Sequence, residues 1–311
     1  MHMQVAVIGA GLIGRAWSIV FSRAGFGVAL WDPMDAAIPA ALDFIASRLP
    51  ELFAGGLVKE PPEKILLRIK PAATLEAALA NAEYVQENGP ERIDAKQELF
   101  TRLDKAARPE TILASSTSGI PASAFTAHLP GRARCLVAHP VNPPYLIPLV
   151  ELCPAPWTTP ETVARTHEIM TQAGQVPTTI NFEMDGFALN RLQGALLAEA
   201  FRMIDDGAIS PEDLDALVKH GLGLRWSFMG PLETIDLNAP GGLADYCDRY
   251  GPLYNKMQHQ MTPREWTPSL VSKLQAAQRA TLPMDKQAER QAWRDRRLMT
   301  LLAHKASQSE T

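Results

Sequence analysis

A chain of 311 residues, 46% of them hydrophobic, is long enough to bury about two domain-sized cores, and such a composition excludes intrinsic disorder. A formal net charge of -4 and a pI near 6.0 give no field that would gather nucleic acid or an anionic membrane surface. No apolar run approaches the ~18 to 20 residues that span a bilayer, and Cys135, Cys153 and Cys247 lack the close spacing of a zinc site or a disulfide framework, which fits a reducing cytoplasm.

After Met1, His2 and Met3 the chain enters an apolar strand, Gln4 to Ile8, with none of the basic start or cleavage region of a signal peptide. Gly9 to Gly14 follows as a glycine turn, Arg15 to Ala24 as a helix ended by Gly25, and Gly27 to Trp31 as a second strand. Strand, helix, strand is the unit of parallel sheets, because parallel neighbours cannot be joined by a tight hairpin. Further strands are predicted at Tyr84 to Glu87, Ile112 to Ser115, Cys135 to Ala138 and Leu149 to Leu152, with helical stretches such as Ile93 to Ala107 between them. The alternation predicts an α/β fold, a doubly wound and mostly parallel sheet covered on both faces. Arg48 to Arg68 reads as an irregular excursion whose assignment stays open.

Around Asp185 and Gly186 the pattern changes, and Phe187, Leu189, Leu192, Leu196, Ala200 and Met203 recur at near-helical spacing up to Gly207. An all-helical second domain is therefore expected over 184–311, behind a cofactor domain over 1–183. Ser210, Pro211 and Asp213 form a capped helix start, and Gly221 is expected to stop that helix. More helices follow to about His304, and the polar end, Ala306 to Thr311, is expected to fray.

Gly9-Ala10-Gly11-Leu12-Ile13-Gly14 matches G-x-G-x-x-G between a strand and a helix, with Asp32 closing the next strand eighteen residues after Gly14. In a Rossmann unit Gly9 permits the tight turn, Gly11 lets a pyrophosphate approach the backbone, and Gly14 allows close packing of helix and strand. The helix N-terminus meets the phosphates with free N–H groups and its positive end. Asp32 is expected to accept from both adenosine ribose hydroxyls and to repel a 2′-phosphate. Pro33 and Met34 supply no arginine to receive one, so NAD is favoured over NADP.

His139 follows a strand and opens the loop Pro140-Val141-Asn142-Pro143-Pro144, at the carboxyl edge where open α/β sheets keep their sites; Glu151 lies on the next strand. Oxidation of an alcohol by NAD needs a base for the hydroxyl proton as hydride leaves the adjacent carbon, and histidine titrates near neutrality. A carboxylate on the other ring nitrogen would fix the tautomer and stabilise the imidazolium, the role read for Glu151.

These features, with Ser115-Ser116-Thr117-Ser118, Asp185-Gly186-Phe187, Asn190-Arg191-Leu192-Gln193 and Gly221-Leu222-Gly223-Leu224-Arg225 through Gly230-Pro231-Leu232-Glu233, extend over almost the whole chain. Together they resemble the L-3-hydroxyacyl-CoA dehydrogenase superfamily, and within it the L-gulonate 3-dehydrogenase or lambda-crystallin branch. The resemblance implies that His139 and Glu151 form the catalytic dyad and that Ser118 and Asn190 hydrogen-bond the reacting oxygen. It also implies that Glu91 and Lys96 touch the nicotinamide end of NAD and that Asn142 lies close to the nicotinamide. An active site in the cleft between the domains and a homodimer formed through the C-terminal domain are implied as well.

On the residues alone, Ser118 reads equally as a turn former, Asn190 as an ordinary polar helix residue, and Glu91 with Lys96 as a solvated helix pair. Arg225, beside glycines and Trp226, reads as a fork for a substrate carboxylate or as a structural salt-bridge arginine. L-gulonate is the substrate expected, with L-carnitine and an L-3-hydroxyacyl-CoA as alternatives. A CoA surface would draw on Lys59, Lys64 and Arg68, which Glu60, Pro61, Pro62 and Glu63 interrupt. A reading of another class, a non-catalytic crystallin-like or sensor protein that keeps NAD, would show in loss of the dyad; both dyad residues are present.

Overall fold

In the computed structural model, which describes residues 3–308, the predicted apolar runs form the inner strands of one eight-stranded sheet. In chain order the elements are Gln4–Ile8 (β1), Leu12–Arg23 (α1), Gly27–Trp31 (β2), Ala37–Ala54 (α2), Pro62–Leu66 (α3), Ile69–Pro71 (β3), Leu75–Leu79 (α4) and Tyr84–Glu87 (β4). They continue as Ile93–Ala106 (α5), Ile112–Ser115 (β5), Ser123–Thr126 (α6), Cys135–Pro140 (β6), Leu149–Pro154 (β7), Pro160–Gln172 (α7) and Val176–Thr179 (β8). The sheet order is β3-β2-β1-β4-β5-β6-β7-β8. Strands β1 to β6 are parallel, β7 runs antiparallel to β6, and β8 is parallel to β7.

The two faces sort by the period of two. Val5 and Val7 of β1 pack with Trp17, Val20 and Phe21 of α1 and Ile45 and Leu49 of α2. Ala6 and Ile8 point the other way, to the cluster of Leu79, Phe100 and Phe125. The chain winds outward from β1 in both directions, so β1 and β4 are the neighbours at which the order reverses. Their carboxyl ends, Gly9 and Asn88, therefore flank the crevice in which such sheets bind ligands.

Several expectations shift. Helix α1 begins at Leu12 rather than Arg15, because Gly11 caps it from an extended conformation. The open stretch from Arg48 to Arg68 holds the end of α2, a loop and α3. Leu49 and Leu52 are buried at helical spacing and carry α2 past Pro50. Strands β3 and β8 are largely exposed edges with no apolar run to announce them.

The remaining helices are Phe187–Asp205 (α8), Pro211–Leu217 (α9), Gly223–Trp226 (α10), Pro231–Asp236 (α11), Gly242–Gln258 (α12), Pro268–Thr281 (α13) and Gln287–Ala306 (α14). Ser210 caps α9 as expected, its hydroxyl accepting from the Asp213 N–H at 3.0 Å. Gly221 does not stop that helix. A wide π turn, Val218–Leu222, carries the chain through it into α10, since glycine in a helix costs only about 1 kcal/mol.

The described residues form two compact units, 3–191 with 295–308 as one and Leu192–Arg294 as the other. The first turn of α8 and the last turns of α14 thus lie with the sheet, because Phe187 and Met299 are buried in its two cores. Residues 309–311, part of the tail expected to fray, lie outside the described residues. Among the described residues no helix is long and apolar enough to cross a membrane.

Gly14 tests the packing of α1 on β1. A methyl group there would stand 1.7 Å from the Gly9 carbonyl oxygen, a backbone atom that cannot rotate away. Gly14→Ala is expected to cost about 1 to 3 kcal/mol or more in urea unfolding; an unchanged unfolding midpoint would refute this packing.

Candidate active site

The turn from β6 to β7 sets the register, and the register sets the chemistry: His139 and Glu151 are direct cross-strand partners. Partners in an antiparallel pair share a face with Cβ atoms about 4.5 to 5.5 Å apart. The side chains meet at 2.9 Å, His139 Nδ1 to Glu151 Oε2, and both are buried, 6% and 2% exposed. An ionised carboxylate only accepts, so Nδ1 carries the hydrogen and Nε2 keeps its lone pair. The other oxygen, Oε1, accepts from the N–H groups of Ala188 at 2.9 Å and Leu189 at 2.8 Å, in the first turn of α8. Burial pushes the Glu151 carboxyl up. The bonds from His139, Leu189 and Ala188 outweigh it and hold the group below its ordinary value.

Gly186 and Phe187 turn the chain into α8 through left-handed backbone, φ 75° and 52°. For a phenylalanine that conformation is strained, and it is held by complete burial of a ring that packs 5.5 Å from the imidazole. The same first turn delivers Asn190, whose amide donates to the Ser118 carbonyl at 2.8 Å. Ser118 is held from its other side by Glu91. Glu91 Oε1 accepts from the Thr117 hydroxyl at 2.6 Å and from the Ser118 and Gly119 N–H groups at 2.8 and 3.2 Å. Among the described residues the Ser118 hydroxyl has no partner, so it is free to meet a ligand.

Lys96 is 1% exposed, not a solvated surface residue. Its ammonium lies 3.0 and 3.2 Å from the Glu87 carboxylate and 3.9 Å from Glu91, so its main partner is an acid passed over in the sequence. The Ser115 hydroxyl donates to Glu87 Oε2 at 2.6 Å, and the Gly89 N–H to Oε1 at 2.6 Å. An acid closing the short strand that begins Tyr84-Val85, with a lysine nine residues on, was the available signal. Beside it, Gln86 donates to the Ala138 carbonyl at 3.1 Å and to Ser116 Oγ at 2.7 Å; Ser116 in turn accepts from Trp17 of α1 and donates to Asn88. A buried polar chain thus ties the glycine turn to the strand that carries His139.

The crevice at Gly9 and Asn88 opens into a cleft of about 470 Å³ lined by Gly9, Gly11, Trp31, Asp32 and Arg102 among others. Its glycines differ in what they require. Gly9 sits at φ 92° and a Cβ there would meet the Asn88 carbonyl at 2.9 Å, whereas Gly14 faces backbone at 1.7 Å. Gly11 has negative φ and open space around its missing Cβ, so nothing within the protein demands glycine. A ligand lying on the backbone does, and the residues present fit a dinucleotide. Asp32 Oδ2 accepts from the Ala10 N–H at 2.7 Å and Oδ1 from the Met34 N–H at 2.8 Å, which pins the glycine turn to the end of β2. Cys135 and Cys153 are free and buried; burial pushes both thiols up to about 12, so neither supplies a thiolate at neutral pH.

Residues 4–183 match the 3-hydroxyacyl-CoA dehydrogenase NAD binding domain, and residues 186–282 match the C-terminal domain of the same enzymes. The chain belongs to the 3-hydroxyacyl-CoA dehydrogenase family. Its members are NAD-dependent dehydrogenases acting on 3-hydroxy groups, and NAD is the cofactor the cleft accommodates. The lambda-crystallin homolog of Bos taurus is 44% identical, over 96% of this chain and 94% of its own. The L-carnitine dehydrogenase of Streptomyces coelicolor is 40% identical over 80% of this chain and 78% of its own. The solved structure of 5-formyl-3-hydroxy-2-methylpyridine 4-carboxylic acid 5-dehydrogenase, an NAD+ dependent dismutase, covers 99% of this chain and 100% of its own with a TM-score of 0.85 and 26% identity.

Two residues singled out in this family member stand apart from that network. Asn142 is exposed in the loop after β6, its amide unengaged among the described residues. Arg225 belongs to the second unit, on α10, and is exposed rather than buried. It lies near Tyr246, whose hydroxyl is 2.8 Å from that of Tyr254; that bond raises the Tyr246 phenol, and the Arg225 charge acts against it.

His139→Gln is expected to lower turnover about 100- to 10,000-fold with NAD binding nearly intact. Glu151→Gln presents an amide donor to Nδ1, favours the wrong tautomer and is expected to lower turnover as well. Near-normal turnover in the histidine variant would sink the dyad.

Asp32→Ser with Pro33→Arg removes a carboxylate and adds a phosphate partner, so the ratio of kcat/KM for NADP over NAD should rise. An unchanged ratio would remove Asp32 from the ribose site.

Proposed function

We propose that the chain is an NAD-dependent dehydrogenase that oxidises the 3-hydroxyl of a small hydroxy acid, L-gulonate to 3-dehydro-L-gulonate. The observation that carries this reading is the buried His139–Glu151 pair at the carboxyl edge of the sheet, with Nε2 left as an acceptor. NAD, when bound, supplies the hydride acceptor. His139 takes the hydroxyl proton on Nε2 as the C–H bond breaks and the carbon–oxygen double bond forms, and Glu151 holds the imidazolium. The Ser118 hydroxyl and the Asn190 amide fix the reacting oxygen. Gly9, Gly11, Leu12, Ile13, Gly14 and Asp32 hold the adenosine and pyrophosphate, while Glu91, Lys96 and Asn142 border the nicotinamide.

A small acid is favoured over a CoA thioester by the fate of the basic residues on α3 and its flanks. Arg68 spends its guanidinium on Glu60 at 2.8 Å and on the Ser22 carbonyl at 3.0 Å, which takes one of the three basic groups from the surface that a nucleotide with several phosphates would need. Arg225, by contrast, makes no ion pair among the described residues and is available to a substrate carboxylate. The names of two relatives, a carnitine dehydrogenase and a pyridine carboxylic acid dehydrogenase, point to the same kind of substrate.

The helical unit carries the second part of the proposal, a homodimer. Within Leu192–Arg294 only Ala200, Ile204 and Leu270 are buried apolar side chains. Leu224, Phe228, Leu232, Leu237, Leu253 and Trp266 are each at least half exposed, far more apolar surface than a monomer leaves bare, and a second copy is the occupant that covers it.

Initial rates with NAD against L-gulonate, L-carnitine, small 3-hydroxy acids and a 3-hydroxyacyl-CoA test the substrate. Arg225→Met is expected to raise KM for L-gulonate about 10-fold, a modest figure because the guanidinium is exposed, with a smaller change in kcat and in thioester oxidation. Preference for the thioester, or equal damage to both classes, would overturn the small-acid reading.

A further inference from the structure

Arg102 is the basic side chain among the residues lining the cofactor cleft, on the wall formed by α5. Facing it in the same cleft are Trp31 and Asp32, at the end of β2. Its guanidinium carbon lies 5.7 Å from the centre of the Trp31 ring. Glu98, one helical turn earlier and also on the cleft wall, is placed to pair with it, yet among the described residues Arg102 makes no ion pair and no hydrogen bond. An arginine that ignores a neighbouring acid and rests over an indole keeps its flat outer face bare. That face is weakly hydrated and stacks readily on a second π system.

We propose that Arg102 is the adenine platform of the cofactor cleft: its guanidinium, seated over Trp31, stacks against the adenine base of NAD. The proposal rests on NAD as the cofactor and assigns a residue that the glycine motif and Asp32 do not include. The position is consistent with the motif, because Asp32 stands at the ribose and the base is the next group outward along the cleft. Stacking on a guanidinium plane fixes the base without reading its edge, which leaves discrimination between NAD and NADP to Asp32.

The test titrates the intact chain, Arg102→Met and Arg102→Lys with NADH by fluorescence, with ADP-ribose by calorimetry, and with reduced nicotinamide mononucleotide, which lacks adenosine. Both variants are expected to bind NADH and ADP-ribose about 10-fold more weakly, the scale of one base stacked on a side chain, and to bind the mononucleotide as the parent does. Lysine keeps the charge but not the plane, so full affinity in Arg102→Lys would overturn the platform, as would unchanged ADP-ribose affinity in Arg102→Met. Equal weakening for the mononucleotide would show a general distortion of the cleft and overturn it too. Parent protein that bound neither NADH nor ADP-ribose would bring down the cofactor reading itself, whereas parent binding with unaffected variants removes Arg102 alone.

Discussion

Both oxygens of the Glu151 carboxylate are committed, and the geometry of the site depends on that commitment. Oε2 orients His139, and Oε1 receives the first free N–H groups of α8, where the helix dipole favours a negative charge. One buried anion therefore fixes the imidazole tautomer, sets where α8 begins, and places Asn190, which follows Leu189, against the Ser118 carbonyl. Its desolvation is offset by three hydrogen bonds, two of them from backbone that has no other intrahelical partner. The strained turn at Gly186 and Phe187 follows from the same demand. The helix must start close enough for its N–H groups to reach a carboxylate on β7, and the Phe187 ring fills the space left beside the imidazole.

A second charged centre does for the cofactor edge what Glu151 does for the dyad. Glu87 and Lys96 are almost wholly excluded from water, so each carries a desolvation cost that only its partner and the bonds from Ser115 and Gly89 offset. Such a pair adds little net stability over an apolar replacement, but removal of either member alone leaves an uncompensated buried charge. What it provides is placement: the end of β4, the start of α5 and the end of β5 are locked at one point. From there Glu91 reaches the backbone of Ser118 and Gly119. The Gln86–Ser116–Asn88 chain links this edge to Ala138, one residue before His139, so the cofactor turn and the base are parts of one hydrogen-bonded framework.

How much of this was legible in the sequence depends on burial. Strands β1, β2, β4 and β5 were readable to the residue because each has an apolar, largely buried stretch bounded by turn residues. Strands β3 and β8 were not, since edge strands need neither alternation nor apolar content; in β8 three of four residues are exposed. The dyad was legible as a histidine just after one strand and an acid on the next, yet the extension of β6 through His139 to Pro140 and the antiparallel register that makes the two partners were not, because the sequence between them does not fix the direction of β7. Glu87 carried a weaker signal, for the opposite reason. An acid at the end of a buried strand violates the hydrophobic pattern, and only its distant lysine partner, brought close by the α5 crossover, makes it intelligible.

In the proposed reaction the low-lying Glu151 carboxyl has one further consequence. A carboxylate held below its ordinary value stays ionised at neutral pH, so the proton taken from the substrate hydroxyl remains on the imidazole and does not pass on to the acid. The imidazolium that results is the acid required for the reverse step, the protonation of a carbonyl oxygen as hydride arrives. The same pair therefore serves oxidation when His139 begins neutral and reduction when it begins charged, with Glu151 fixed in one state throughout. Nothing in the dyad favours one direction. The balance falls to the ratio of oxidised to reduced cofactor in the cleft beside it.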